Sequence, residues 1–205
     1  MKILVVFAHP RRDSLSGLIA DRFVEGLNVA GHEVEFADLQ TEGFDPVLRI
    51  EDEPDWEDGS KKYSADVEQE MDRIRRNDAT VMIFPVWWWS MPAILKGWID
   101  RVWNHGFGYT FAEGSSSYPH EHALMIGVAG NDQASYEKRD YDRAAKIQLD
   151  TGILEYCAIK NHGLAMYYDS LSGNTSLVEE QLDSAKQLGA DFPNYKNLPG
   201  DIVKR

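Results

Sequence analysis

The chain has a single cysteine, Cys157, in 205 residues, which excludes an internal disulfide framework and any multi-cysteine metal site. Its apolar, helix-like surroundings suit a buried structural thiol better than a nucleophile. Basic residues are scarce. Against 34 acids stand 21 lysines and arginines, a net charge of −13, which disfavours nucleic acid and anionic membranes as partners. No apolar run approaches the roughly 20 residues of a membrane-crossing helix, and Met1 leads directly into the strand-like KILVVFA rather than into a signal peptide. A soluble, cytoplasmic protein with no membrane insertion is expected. Neither G-x-G-x-x-G nor a Walker sequence occurs, so a P-loop ATPase and a standard Rossmann dehydrogenase are disfavoured. His105, His120, His122 and His162 lack ligand-like spacing, and no metal is expected. Internal repeats and low-complexity segments are also missing.

What is present suffices for a core. With 43% hydrophobic and 11% aromatic residues, one domain spanning residues 1–205, with one excursion, is expected. Lys2 to Ala8 and Ala79 to Pro85 are continuous apolar runs, the pattern of parallel strands buried on both faces. Glu33 to Leu39 alternates, as an edge or near-edge strand does. Ala123 to Val128 and His162 to Tyr168 supply a fourth and a fifth strand. Helical patterns fill the gaps: Gly17 to Ala30, Tyr63 to Asn77, a helix after Ser90, Tyr141 to Ile159 and Ser176 to Leu188. Gln40 to Ser60, rich in acids, reads as a surface excursion. Phe44 and Trp56 within it either anchor the loop or pack over a neighbouring site or partner subunit. Alternating strands and helices of this kind predict an α/β, three-layer sandwich.

Three places carry chemistry. The run FPVWWWSMPAILKGWIDRV, Phe84 to Val102, ends a buried strand in three adjacent tryptophans and enters a helix with no spacer, Ser90 standing at the N-cap position. Successive side chains of an extended segment face opposite ways, so three indoles cannot all enter one core. An aromatic loop there, followed by a helix N-terminus, suits a flat, negatively tethered cofactor such as a flavin. After the first strand, HPRRDSLS places His9, Arg12, Ser14 and Ser16 before a helix, where backbone amides and the helix dipole favour phosphate; equally, Ser14 or Ser16 caps the helix. After the fourth strand, Ala129, Gly130 and Asn131 are small enough to let a ring approach the backbone. The strand order that gathers these loops is 2-1-3-4-5, the flavodoxin-like order, with its ligand crevice between strands one and three.

The strand ending AHPRRDS, the tryptophan run, GFGYTF and VAGNDQASY together resemble the NAD(P)H:quinone oxidoreductase family of the DT-diaphorase and modulator-of-drug-activity-B type, over roughly Lys2 to Tyr168. The resemblance implies a flavodoxin-like homodimer that holds FAD, or FMN in some bacterial relatives, and passes hydride in ping-pong fashion from NAD(P)H through the flavin to a quinone or nitroaromatic acceptor. Carried onto this sequence, it places the flavin phosphates on His9, Arg12, Ser14, Leu15 and Ser16. The ring would lie along Pro85, Val86, Trp87, Trp88 and Trp89 and against Gly130 and Asn131. Tyr136 matches the tyrosine that donates to the reduced ring. Trp88 and Trp89 would shape the acceptor slot, while Tyr109 and Phe111 match aromatics that reach the opposite subunit's pocket. Two positions depart from the pattern: Asp142 stands where mammalian members have a histidine, and Asn131 replaces a second glycine. A flavodoxin-type electron carrier and a flavin-binding ancillary regulator of a potassium-efflux system are the alternatives.

Overall fold

The computed structural model describes residues 1–111, 118–196 and 198–200. Its centre is a sheet of five strands: β1 (Lys2–Phe7), β2 (Glu33–Asp38), β3 (Ala79–Pro85), β4 (His122–Val128) and β5 (Asn161–Tyr167). The order is β2-β1-β3-β4-β5 and every neighbouring pair is parallel, the order expected from the sequence. The pleat divides each strand between two faces. Ile3, Val5 and Phe7 pack toward α1 (Leu15–Val29) and α6 (Thr175–Ala190), whereas Leu4, Val6 and Ala8 pack toward α2 (Ala65–Arg75) and α3 (Ala93–Val102). Both faces are therefore covered by helices, which is why β1 and β3 carry apolar residues at nearly every position. α1 and α6 lie against each other closely enough that a Cβ on Gly26 would fall 2.0 Å from the Lys186 carbonyl oxygen.

Two elements differ from the sequence expectation. The helix after the tryptophans starts at Ala93 with Pro92 as N-cap, not with Ser90, because Ser90 is hydrogen-bonded back to Trp87 and closes a turn. The segment expected as one helix over Tyr141 to Ile159 is a short α5 (Tyr141–Ala145) that continues as a π-wound stretch over Lys146–Glu155. A separate helix, α4 (Gln133–Glu137), precedes it. Asp140 separates α4 from α5 with a left-handed φ of 55°. The serine- and glycine-rich part of the loop after Phe111, residues 112–117, lies outside the described residues.

The acidic excursion is fastened from within. Asp52 is fully buried and Arg101, on α3, is 3% exposed; the guanidinium donates to Asp52 Oδ2 at 2.7 and 3.1 Å and to the Asp45 carbonyl at 2.6 Å. Ser64 donates its amide and its hydroxyl to the same carboxylate, each at 2.8 Å, and Asp66 adds a second ion pair to Arg101 at 2.8 Å. Phe44 packs against the core on this side, beneath the Arg101 guanidinium. Burial pushes the Asp52 carboxyl up, yet the Ser64 donors and Arg101 outweigh it and hold its pKa below the ordinary carboxylate value. A pKa depressed in the folded state means stability that is present above the unfolded value, near 3.9, and is lost as pH falls. Asp52→Asn leaves Arg101 without its buried counter-charge and should cost about 3 kcal/mol at pH 7. Urea unfolding checks this: the midpoint gap between parent and variant should narrow as pH is lowered from 5 toward 3.

Candidate functional site

β3 and β4 end level with each other, Pro85 opposite Val128, and the Val86 amide extends the ladder by donating to the Val128 carbonyl at 2.8 Å. Beyond it the chain reverses. Trp87 and Ser90 exchange two backbone hydrogen bonds, at 3.0 and 3.1 Å, around Trp88 and Trp89, whose φ angles are 51° and 58°. Two left-handed residues between a bonded pair define a turn of the I′ kind, which normally takes Asn-Gly. Holding two tryptophans there costs about 1–2 kcal/mol for each. The turn explains where three indoles go: Trp87 is half-exposed, Trp88 is 88% exposed and Trp89 is 38% exposed, so none enters the core. The Val86 and Trp87 amides are committed to this framework, and the Trp88 and Trp89 amides have no partner among the described residues.

Val86, Trp88, Trp89, Gly130, Asn131 and Tyr136 line one open cavity of about 180 Å³. All six were expected in the site. The Asn131 carbonyl accepts from the Asp169 amide at 2.9 Å, which fixes the loop after β4. Tyr136 sits on α4, whose N-cap, Asp132, accepts from the Ser135 amide at 2.8 Å. Only 4% of Tyr136 is exposed, and burial pushes its phenol pKa up, so the hydroxyl stays protonated through the neutral range. It has no hydrogen-bond partner among the described residues and remains available as a donor. Tyr168 packs edge-on against it at 5.0 Å. Burial raises the Tyr168 phenol as well, and the charge of Asp142 adds to this. Asp142 thus faces Tyr168 electrostatically.

His9 joins this cavity to the loop after β1, its ring lying 5.9 Å from that of Trp87. His9 Nδ1 lies against both the amide and the carbonyl of Arg11, at 3.0 and 2.9 Å, and burial holds the imidazole below its ordinary pKa. Ser14 is the N-cap of α1, accepting from the Gly17 amide at 3.2 Å while donating to the Arg11 carbonyl at 2.8 Å. Its hydroxyl is therefore occupied in both directions. The Leu15 and Ser16 amides have no partner among the described residues; they are the open donors of a 15-residue helix. The loop folds over them tightly, since a Cβ on Gly17 would meet the Arg12 carbonyl oxygen at 1.9 Å. Arg12 pairs with Asp21 and lies over Phe7 and Phe36, 4.7 and 4.5 Å from their ring centroids. Its buried Nη1 has no partner among the described residues. Arg11 is exposed with no ion pair among the described residues, and the sequence reading did not single it out.

Tyr109 and Phe111 do not line this cavity. They cluster with Trp56 and His105: Phe111 lies 5.2 Å from His105 and 5.9 Å from Trp56, and Tyr109 lies 5.7 Å from Tyr156. Trp56, Phe111 and Tyr156 are each more than half exposed. The aromatics of the excursion and of the loop after α3 thus form a second, outward-facing surface. Also outside the sequence expectation is Tyr141, its ring tilted against that of Trp89 at 4.6 Å. No local signal marks it, because the contact depends on the break at Asp140.

The donor set suits a flavin. At one end are two open helix amides, an imidazole and arginine for a phosphate; at the other are two open turn amides and a buried phenol beside flat indoles, for a polar-edged ring. Pro85, at the end of β3, lies buried beneath the turn.

Comparison with known proteins gives the fold and the family. A family pattern described as the flavodoxin-like fold matches residues 1–188. The chain is 38% identical over 142 residues to the uncharacterized NAD(P)H oxidoreductase YcaK of Escherichia coli K12, covering 69% of this chain and 71% of that one. It is 33% identical over 179 residues to the ribosyldihydronicotinamide dehydrogenase [quinone] of Mus musculus, covering 78% of each. Among solved structures, the NAD(P)H:quinone oxidoreductase of Methanothermobacter marburgensis superposes with a TM-score of 0.88 at 31% identity, over 93% of this chain and 98% of that chain. The strained turn is open to direct test. Trp88→Asn places a residue that tolerates the left-handed region where little packing is lost, and should stabilise the protein by about 1 kcal/mol, read as a rise in thermal midpoint.

Proposed function

Because the chain belongs to the flavodoxin-like family that includes NAD(P)H:quinone oxidoreductases, we propose that its crevice reduces quinones or nitroaromatics with NAD(P)H, the two substrates taking turns in one pocket. The protein is a flavin-dependent oxidoreductase. Within it, residues 1–205 are read as one flavin-binding domain, FAD as the cofactor with FMN as the alternative, and the cytoplasm as its location. No helix among the described residues is long and apolar enough to cross a membrane. One observation carries the reading: residues following β3, β4 and β1 converge, so that the cavity lined by Trp88, Trp89 and Tyr136 connects through the His9–Trp87 contact to the open N-terminus of α1.

A bound flavin would supply the hydride chemistry itself, taking hydride from the nicotinamide and giving it to the acceptor. The residues of this chain bind, orient and balance charge. Leu15 and Ser16 amides, the His9 imidazole and the guanidinium of Arg12 would hold phosphate, with Ser14 setting the shape of the loop through its cap. The Trp88 and Trp89 amides would hold the polar edge of the ring, against Pro85, Val86, Trp87, Gly130 and Asn131. Tyr136 would donate from Oη to negative charge on the reduced ring; its raised pKa keeps that proton in place at any pH in which the enzyme works. Trp88 and Trp89 would stack against the flat substrates and exclude water from their faces. Trp56, Tyr109, Phe111 and Tyr156 offer an aromatic surface outside the cavity, which supports a homodimer in which Tyr109 and Phe111 complete the partner's pocket.

Heating the purified protein and identifying the released cofactor decides between FAD and FMN. With menadione as acceptor, NAD(P)H oxidation should show parallel double-reciprocal lines. Negligible turnover by flavin-loaded protein would overturn the enzymatic reading in favour of an ancillary binding protein. Tyr136→Phe should lower the rate of reduction or reoxidation several-fold with flavin still bound, measured by stopped-flow absorbance; unchanged rates would remove Tyr136 from the mechanism.

A further inference from the structure

A cavity wall built on a turn with two left-handed tryptophans keeps its shape only where the surroundings over-determine it. The backbone pairing of Trp87 with Ser90 fixes the ends of the turn. It does not fix the indoles. Trp88 is almost fully exposed and meets Trp89 at a centroid distance of 6.0 Å. Trp89 is held from outside the turn, by the ring of Tyr141 at 4.6 Å and an interplanar angle of 42°. The same Tyr141 ring meets Tyr136 edge-on, at 6.0 Å and 82°. Tyr141 therefore touches both sides of the cavity, Trp89 on the tryptophan turn and Tyr136 on α4, without lining the cavity itself.

The backbone is shaped for this contact. In one continuous helix, residues five positions apart lie about 140° from each other around the axis, too far for Tyr136 and Tyr141 to meet. α4 ends at Glu137, and the left-handed φ of Asp140, the N-cap of α5, starts α5 in a new direction; aspartate is among the residues that tolerate that conformation best. The reversal brings the Tyr141 ring back over Tyr136 and onto Trp89.

We infer that Tyr141 is a positioning residue that sets the width of the acceptor slot by clamping the Trp89 indole in place opposite Tyr136. The inference rests on the quinone-reductase reading of this crevice. The clamp needs the ring and not the hydroxyl, since the contact is one of ring against ring. Its loss frees Trp89 to swing, which weakens the hold on a flat acceptor and leaves the hydride step itself untouched.

The test compares Tyr141→Ala with Tyr141→Phe in flavin-loaded protein, with menadione as acceptor and near-ultraviolet circular dichroism as an independent readout. Tyr141→Ala should raise the KM for menadione about five- to tenfold with kcat within about twofold, the pattern of lost binding rather than lost chemistry. Tyr141→Phe should restore both constants. The aromatic dichroism of the Trp89–Tyr141 pair should collapse in Tyr141→Ala and persist in Tyr141→Phe. An unchanged KM in Tyr141→Ala, or equal impairment in Tyr141→Phe, overturns the clamp. Should Tyr141→Ala fail to fold, Tyr141→Leu keeps much of the packed volume without the ring contact and is expected to show the same KM shift; a parental KM there overturns the inference. If the parent protein turns over no menadione, the functional reading fails on its own, and the dichroism alone then decides the clamp, a parental spectrum in Tyr141→Ala overturning it.

Discussion

β3 and β4 run in register to their last residues, and the bond from the Val86 amide to the Val128 carbonyl, 2.8 Å long, carries that pairing one step past both strands. Parallel strands finish at the same edge of a sheet, so the loops that follow them leave side by side. Here the consequence is specific. The tryptophan turn after Val86 and the small residues Gly130 and Asn131 face each other across a gap whose width is set by the spacing of two paired strands, about 4.8 Å per step. β1 lies on the other side of β3, which places His9 against Trp87 and the open amides of α1 at the end of the same crevice. Loosening the pairing at Val86 would move all three loops relative to one another.

Around that frame the structure carries strain where chemistry is expected. Two bulky residues occupy positions in the turn that suit asparagine and glycine, and a left-handed aspartate divides α4 from α5. These irregularities lie beside the cavity. Farther away several buried polar groups pair with one another. Trp98, fully buried on α3, donates to Glu70 at 2.8 Å, and buried Thr80 bonds both Tyr118 and His120. The buried Arg101–Asp52 pair fastens the acidic excursion to α3. A buried ion pair adds little net stability over a well-packed apolar contact, but leaving either member alone is costly, so the pair enforces a single docking of the loop. That docking puts Trp56 against His105 and Phe111.

The strands and their order were legible in the amino-acid sequence because burial on both faces leaves an uninterrupted apolar run, and the limits of β3, Ala79 and Pro85, agree with that run. The cavity was legible for a related reason. Val86, Trp88, Trp89, Gly130, Asn131 and Tyr136 all follow strand ends, and a parallel topology gathers strand ends. What could not be read were contacts chosen by competition between partners distant in the chain. Ser90 looks like a helix cap and instead closes a turn, because the left-handed tryptophans bring Trp87 within reach. Arg12 and Arg11 are adjacent and alike in sequence, and only packing shows that Arg12 is braced by Asp21, Phe7 and Phe36 with one guanidinium nitrogen left unpartnered among the described residues. Asp52 is one acid among many in EDEPDWEDG until Arg101 selects it. By itself, then, the sequence determined the fold class, the strand order and the loops that make the site, since these follow from periodicity and short-range chemistry. Tertiary structure alone decided which donors stay open and which aromatic ring stands behind Trp89, since those depend on side-chain geometry across elements that no local pattern encodes.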